Sequence, residues 1–156
     1  KESVVGAMAA LELWEARDHQ AERAREEALV DRWMKALADI PGLDLSRHAD
    51  WTGNPITRLK IVVRAEEARA HAWEVAAQLA ARRPRIILRD DLVERGEVHL
   101  DPCNVTDNEA ALVAAAIAEE MQRFRDQGTG LRRSWSDVKR TREAGILDWR
   151  GNGDDA

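Results

Sequence analysis

"EVHLDPCNVTDNEAALVAAAIAEEM", residues 97–121, holds a strand, a turn and a helix in one run, and this sets the fold class. Residues 97–101 read as a short strand that Pro102 ends, since proline has no N–H to give a ladder. Thr106 then caps a helix, and Glu109 three residues on completes a capping box. The helical spacing assigns Leu112, Ala116, Ile117 and Met121 to the buried face.

Upstream, "PRIILRD" (84–90) is a β-branched stretch led by proline, joined to residues 97–101 through "DLVERG". Ala65 to Arg83 carries a helical stripe of Ala72, Val75, Ala76 and Leu79. "ITRLKIVVRA" (56–65) reads as a strand, "TGNP" (52–55) as a turn, and "LDLSRHADW" (43–51) as a weaker strand. The order α-ββ-α-ββ-α predicts an α+β fold: a long N-terminal helix, then an antiparallel sheet of about four strands with helices on one face.

That first helix shows Val4, Val5, Met8 and Leu11, then Val30, Trp33, Met34 and Leu37, at helical spacing. Between them "EARDHQAERAREEA" (15–28) favours helix but has almost no apolar face. One helix to Ile40 would run ~55 Å at 1.5 Å per residue, ended by Pro41-Gly42. A helix polar through its middle bridges solvent or packs on a partner. The apolar pattern is already running at Val4, so the start reads as the continuation of something preceding it. Beyond Arg125 two Gly clusters flank a short helix predicted at Ser136–Glu143. Arg132, Arg133, Lys139, Arg140, Arg142 and Arg150 make this tail basic, and Trp135 and Trp149 are expected to pack it onto a neighbouring subunit or another domain.

The 156 residues suit one domain with an appended tail, and a net charge of −5 gives the whole chain no footprint for nucleic acid. A nucleic-acid contact through residues 123–150 rests on local basicity alone, without interleaved aromatics. No apolar run reaches the ~18 residues of a membrane span. A single cysteine, Cys103, fits a reducing, cytoplasmic setting.

Few catalytic constellations stand out. His99, Asp101 and Cys103 alternate, which would set them on one strand face, but no further cluster completes a metal site. Cys103 reads as a small buried residue rather than a nucleophile, and His19 as a surface group. No phosphate-binding glycine loop is present. Glu26-Glu27, Asp90-Asp91 and Glu119-Glu120 read as solvated charge. Arg82, Arg83, Arg85 and Arg89 surround "PRIIL", where a strand would hold a guanidinium fork rigidly for a carboxylate or phosphate; as solvated edge residues they would instead blunt strand association.

"KESVVGAMAALELWEARDH", "IPGLDL", "NPITRLKIVV", "RPRIILRD" and residues 97–121 together resemble the C-terminal part of the selenocysteine synthase-like family, over about residues 1–122. These are fold-type I pyridoxal-phosphate (PLP) enzymes, including seryl-tRNA selenium transferase and relatives described as ammonia-lyases or aldolases of sugar-acid phosphates. Lys1, Glu2 and Gly6 match the family's Lys-Glu-x-x-x-Gly helix, where Gly6 would allow close approach to what precedes it. Ala81-Arg82 stands where many relatives have Gly before Pro. Cys103-Asn104 stands where selenium transferases proper have Arg, which points away from tRNA-dependent chemistry.

The resemblance implies an interdomain helix over 1–40, a small aminotransferase-like domain over 41–126 and a basic tail over 127–156. It implies substrate-binding Arg85 and Arg89, with Lys60 and Arg58 as weaker candidates, for an amino or sugar-acid substrate. It implies PLP held by an upstream domain, or a separate chain, and a homo-oligomer. Lys1, Lys35, Lys60 and Lys139 all lack the glycine-bearing context of the Schiff-base lysine, so no catalytic, cofactor-binding or metal residue is assigned here. On the residues alone, the alternative is a non-catalytic helix-docking module that binds a protein partner.

Overall fold

The computed structural model describes residues 2–147; Lys1, Trp149 and Arg150 lie outside the described residues. The sheet has three antiparallel strands in the order β1 (Leu43–Ala49), β2 (Thr57–Val63), β3 (Glu97–Leu100). The helices are α1 (Glu2–Glu15), α2 (His19–Leu37), α3 (Ala65–Ala68), α4 (Ala72–Ala81), α5 (Asp107–Gln127) and α6 (Trp135–Leu147).

Alternation along β2 divides the sheet into two faces. Leu59, Ile61 and Val63 are buried, and the register sets them beside Leu45, Val98 and Leu100. This face meets Leu29, Trp33 and Leu37 of α2 and Ile117 and Met121 of α5 in one core. Trp33 Nε1 donates to the Ala110 carbonyl at 2.9 Å, so the indole is buried with its donor satisfied. The other face carries His48, Arg58, Lys60 and His99.

Three expectations need correction. Among the described residues the sheet has three strands, not four. Residues 86–89 lie beside β3 but form only the Arg89–His99 bridge, in which each backbone N–H donates to the other's carbonyl, at 3.1 and 2.8 Å. Beyond that pair no backbone hydrogen bond joins Ile87 to Asp101 among the described residues, and on the other side the chain enters a 3-10 turn at Val93–Arg95. The helix expected to Ile40 is two helices: Asp18 caps α2, its Oδ1 accepting the N–H of Gln20 at 3.1 Å and Ala21 at 2.9 Å. A good capping residue thus breaks a stretch whose propensity favours continuation. Leu112 is 40% exposed on α5, while Ala116, Ile117 and Met121 are buried.

The capping box is formed: Thr106 Oγ1 accepts from Glu109 N at 3.3 Å, and Thr106 N donates to Glu109 Oε2 at 2.8 Å. Gly42 has φ +84°, and a Cβ there would lie 2.4 Å from the Ala68 backbone, so the turn after α2 requires glycine.

The tail folds back on the domain. Arg133 donates two hydrogen bonds of 2.6 Å to the buried Glu74 carboxylate, and Arg142 reaches Asp90 at 2.7 Å. Trp135 packs on this chain's own core, 5.9 Å from Trp73. Much of the tail's positive charge is therefore engaged within the molecule. Glu119 and Glu120 are not simply solvated, since Arg82 bridges them at 2.6 and 2.8 Å and Glu120 is buried.

Helix α1 stands apart. Val4, Val5, Met8, Leu11 and Leu13 are each more than half exposed. Val4, Met8 and Leu11 follow one side at i, i+4 and i+7, and Val5, Leu13 and the exposed Trp14 widen the apolar surface around the helix, the pattern of a helix enclosed on several sides. A Cβ added at Gly6 would meet nothing within 4 Å among the described residues.

Candidate functional site

The polar sheet face and the 85–89 segment place the arginines singled out by sequence. Ile86 and Leu88 are buried while Arg85 and Ile87 are exposed, so Arg85 and Arg89 fall on the outward side of one extended segment. The Arg89 backbone is fixed by the bridge to His99. Its guanidinium lies 5.5 Å over the Trp51 ring, and its Nε donates to Asp91 Oδ2 at 3.0 Å. Among the described residues its two Nη groups carry no hydrogen bond, which leaves a positioned fork for a carboxylate or phosphate. Arg89 sits between a small hollow with His48, Trp51 and His99 and a cleft of about 360 Å³ that reaches Val105 and Val113. Arg85 lines neither; its Nε donates to the Ala80 carbonyl at 3.1 Å.

The two weaker candidates are already occupied. Arg58, buried, gives Nε to Asp101 at 2.7 Å and Nη1 to Asp50 at 2.5 Å. Burial works against its charge, but the two carboxylates outweigh that and raise its pKa. Asp50 is held well below the usual carboxylate range by the Thr52 hydroxyl, Arg58 and Asn54. Burial pushes Asp101 up, yet Arg58 and the Cys103 N–H bring it to a net lowering. Lys60 pairs with Glu97 at 2.6 Å.

The alternation of His99, Asp101 and Cys103 does not make a metal cluster: among the described residues no three such side chains converge. Asp101 is turned to Arg58 and to the Cys103 N–H at 3.0 Å. His99 is buried, which lowers its pKa, and its Nε2 lies 3.1 Å from Glu97 Oε1 without an aligned hydrogen bond. Burial and the neighbouring Asp101 carboxylate push the Cys103 thiol up to about 12, so at neutral pH it is a poor nucleophile.

The described lysines do not fit a Schiff-base cofactor. Lys35 is exposed on α2, Lys60 is spent on Glu97, and Lys139 is exposed 3.9 Å from Glu143.

Sequence reading missed Trp51 and Asp91, which orient Arg89, and Asp50, which anchors Arg58. The signal for Asp50 was present in "DWTGNP", where Asp, Thr and Asn at alternate positions are the chemistry of a side-chain-closed turn. Nothing in the sequence pairs Trp51 with Arg89, because their contact is made only by folding.

No protein-family model matches the chain. It is homologous to the D-glucosaminate-6-phosphate ammonia lyase of Salmonella typhimurium (strain 14028s), at 32% identity over 119 residues, which is 76% of this chain and 31% of the relative. A solved structure of D-glucosaminate-6-phosphate ammonia-lyase superposes with a TM-score of 0.64 at 28% identity, covering 76% of this chain and 31% of that one. The chain therefore spans about a third of the length of the relative it matches.

Proposed function

We propose that this chain is the C-terminal, small domain of a PLP-dependent lyase or transferase of the selenocysteine synthase-like group. The observation that carries the reading is the match, in sequence and in fold, to one third of a sugar-acid-phosphate ammonia lyase. In this reading residues 1–40 join the domain to an upstream PLP-binding domain or its separate chain, 41–126 form the small domain, and the enzyme is a cytoplasmic homo-oligomer. The exposed, all-round apolar surface of α1 supports a covering partner.

The role proposed for the chain is to bind and enclose an amino or sugar-acid substrate. Arg89 is the principal carboxylate fork, held by Trp51 and Asp91, and Arg85 is a secondary contact on the same outward side. The cofactor is assigned to the upstream domain, in keeping with the unsuitable lysines described here.

The test is to express the chain in continuity with its upstream reading frame, titrate PLP, and follow visible absorbance and ammonia release from D-glucosaminate 6-phosphate. A coloured, ammonia-releasing protein is expected. A reading frame without a lysine-bearing cofactor domain, or a colourless and inert product, overturns the proposal.

A second reading is a non-catalytic module that docks a protein on α1, which the same exposed surface favours. Leu11→Glu separates the two when combined with the cofactor titration. The enzyme reading requires loss of PLP colour or activity, whereas the module reading requires loss of partner binding in a protein that never takes up PLP.

A further inference from the structure

Two carboxylates, Asp90 and Asp91, follow directly on Arg89, and each is taken by a different arginine. Asp91 Oδ2 accepts from Arg89 Nε at 3.0 Å, while Asp90 Oδ2 accepts from Arg142 Nη2 at 2.7 Å. Arg142 belongs to the tail helix α6, 52 positions from its partner. By themselves residues 89–91 carry one positive and two negative charges; with Arg142 the group is neutral. The rest of the hollow has no cation to spare. Arg58, which also lines it, is outnumbered by Asp50 and Asp101, and Lys60 is matched by Glu97.

The packing of α6 sets where Arg142 stands. Arg133, just before the helix, is fixed to the buried Glu74, and Ser134 Oγ accepts the Asp137 N–H at 3.3 Å. Trp135, Val138 and Arg142 are spaced i, i+3 and i+7 and so share one helix face. That face is turned to the domain: Trp135 packs on the core, Val138 is buried, and Arg142 meets Asp90. The Arg142 guanidinium lies 5.6 Å over the Trp135 ring, which holds its plane while Nη2 reaches the carboxylate. An ion pair between two free surface side chains contributes little. Here one partner is stacked, and the helix that carries it is anchored.

We infer that Arg142 is a positioning residue for the Arg89 fork, acting through its neutralisation of Asp90. Without Arg142, Asp90 is an uncompensated carboxylate one position from Arg89. It then competes for the two free Nη groups and repels an incoming anion. Acid binding in the hollow therefore depends on the tail helix being docked, and displacing the tail weakens it without altering Arg89 itself. The inference rests on the reading of Arg89 as the acid-binding group and adds to it the device that keeps that group available.

The first arm of the test uses the 156-residue chain and needs no cofactor. Trp51 is 64% exposed beside Arg89, so its emission reports the access of anions to the hollow. Its share of the fluorescence is the difference between each protein and the same protein carrying Trp51→Phe. Iodide is the anionic quencher and acrylamide the neutral one, at a low ionic strength held constant with chloride. Arg142→Ala should lower the iodide quenching constant of Trp51 by roughly twofold and leave that of acrylamide unchanged. Arg142→Lys should stay close to the parent. The double variant R142A/D90N should recover parental quenching, because removing the carboxylate removes the need for its cation. Raising the salt should erase the difference between Arg142→Ala and the parent. Parental iodide quenching in Arg142→Ala, equal changes with iodide and acrylamide, or a defect that Asp90→Asn fails to repair overturns the inference.

The second arm measures KM for D-glucosaminate 6-phosphate in the protein continuous with its upstream reading frame. Arg142→Ala should raise KM by roughly twofold or more with kcat unchanged, and R142A/D90N should reverse the rise. An unchanged KM in Arg142→Ala, or a rise that survives Asp90→Asn, also overturns the inference. A parent that takes up no PLP overturns the lyase reading instead, and the quenching arm then decides the role of Arg142 by itself.

Discussion

Arg58 Nε donates to Asp101 Oδ2 at 2.7 Å, tying the start of β2 to the turn after β3, while Nη1 of the same side chain reaches Asp50 at 2.5 Å. One buried guanidinium thus neutralises two carboxylates from two turns. Arg58→Ala leaves both without their cation, and a broken buried pair costs about 3 kcal/mol. The melting temperature should fall by about 6–12 °C for a chain of this size. Arg58→Lys, with one point charge in place of a fork, should recover only part of the loss. Calorimetry or thermal circular dichroism checks both.

The same network sets the acid limb of stability. Asp50 and Asp101 both have folded pKa values below their unfolded ones. Their contribution is therefore fully present above the unfolded carboxylate value of about 3.9 and is lost as pH falls through the lower folded values. Urea midpoints should be level from neutrality to about pH 5 and drop below about pH 4. In the Arg58→Ala protein that drop should be shallower, because Asp50 keeps Thr52 and Asn54 and Asp101 keeps the Cys103 N–H but both lose the cation that favours their charged form. An equally steep acid limb in the variant would show that other groups control it.

Much of the fold was legible where a local rule and the tertiary structure agree. The Thr106–Glu109 box, the strand alternation of Leu59, Ile61 and Val63, and the stop at Gly42 follow from residues close in sequence. The errors arose where a short-range feature competed with a longer pattern. Asp18 capping interrupts a strongly helical run, and the β-branched stretch of Ile86, Ile87 and Leu88 turns its alternate side chains into the core while pairing with β3 at Arg89 alone. For the candidate site, Arg89 could be proposed from sequence because an extended β-branched segment holds an arginine in a fixed direction. Trp51, thirty-eight positions earlier by the difference of the two numbers, could not, since no local pattern encodes that contact. Arg58 looked available for substrate only because its two carboxylates lie outside its own strand.

Cys103 provides a chemical check on burial and on the neighbouring carboxylate. Its thiol is pushed up to about 12, so at pH 8 almost none is thiolate. Iodoacetamide should label the native chain far more slowly than the urea-unfolded chain, whose cysteine has an ordinary pKa near 8.5. Asp101→Asn should speed native labelling by removing the repelling charge. Equal rates for native and unfolded protein would rule out this environment.

Attachment of the tail depends on a close backbone approach. Gly130 forms a bridge with Ala70 and accepts the His71 N–H at 2.9 Å, and a Cβ on Gly130 would lie 2.4 Å from the Ala70 Cβ. Gly130→Ala must therefore push the two segments apart, at a cost of about 2 kcal/mol typical of overpacking. Displacement would also loosen Arg133 from Glu74 and the Trp73 Nε1 bond to the Arg133 carbonyl. Limited trypsin digestion should then cut at Arg132 or Arg133 sooner than in the parent chain, while cleavage within α5 stays slow. Unchanged kinetics at Arg132 and Arg133 would mean that the tail does not rely on this contact.

Arg89 and Arg85 should separate when the chain works as part of the proposed enzyme. Arg89 has a backbone fixed to His99, a guanidinium face on Trp51 and Nε on Asp91, so its Nη groups meet an incoming carboxylate already oriented. A charge-assisted contact of this kind contributes about 1.5–3 kcal/mol, equivalent to roughly 10–100-fold in affinity. Arg89→Ala should raise KM by that factor for an acid substrate while kcat changes little, because the contact is made before and during reaction alike. Arg89→Lys should fall between, keeping the charge but losing the fork. Trp51→Ala should reproduce part of the defect by freeing the guanidinium without removing it. Arg85 is exposed and lines neither hollow, so Arg85→Ala should shift KM less than Arg89→Ala. A larger effect at Arg85 than at Arg89 would reassign the carboxylate contact along the same segment, and no effect at either would remove this segment from substrate binding.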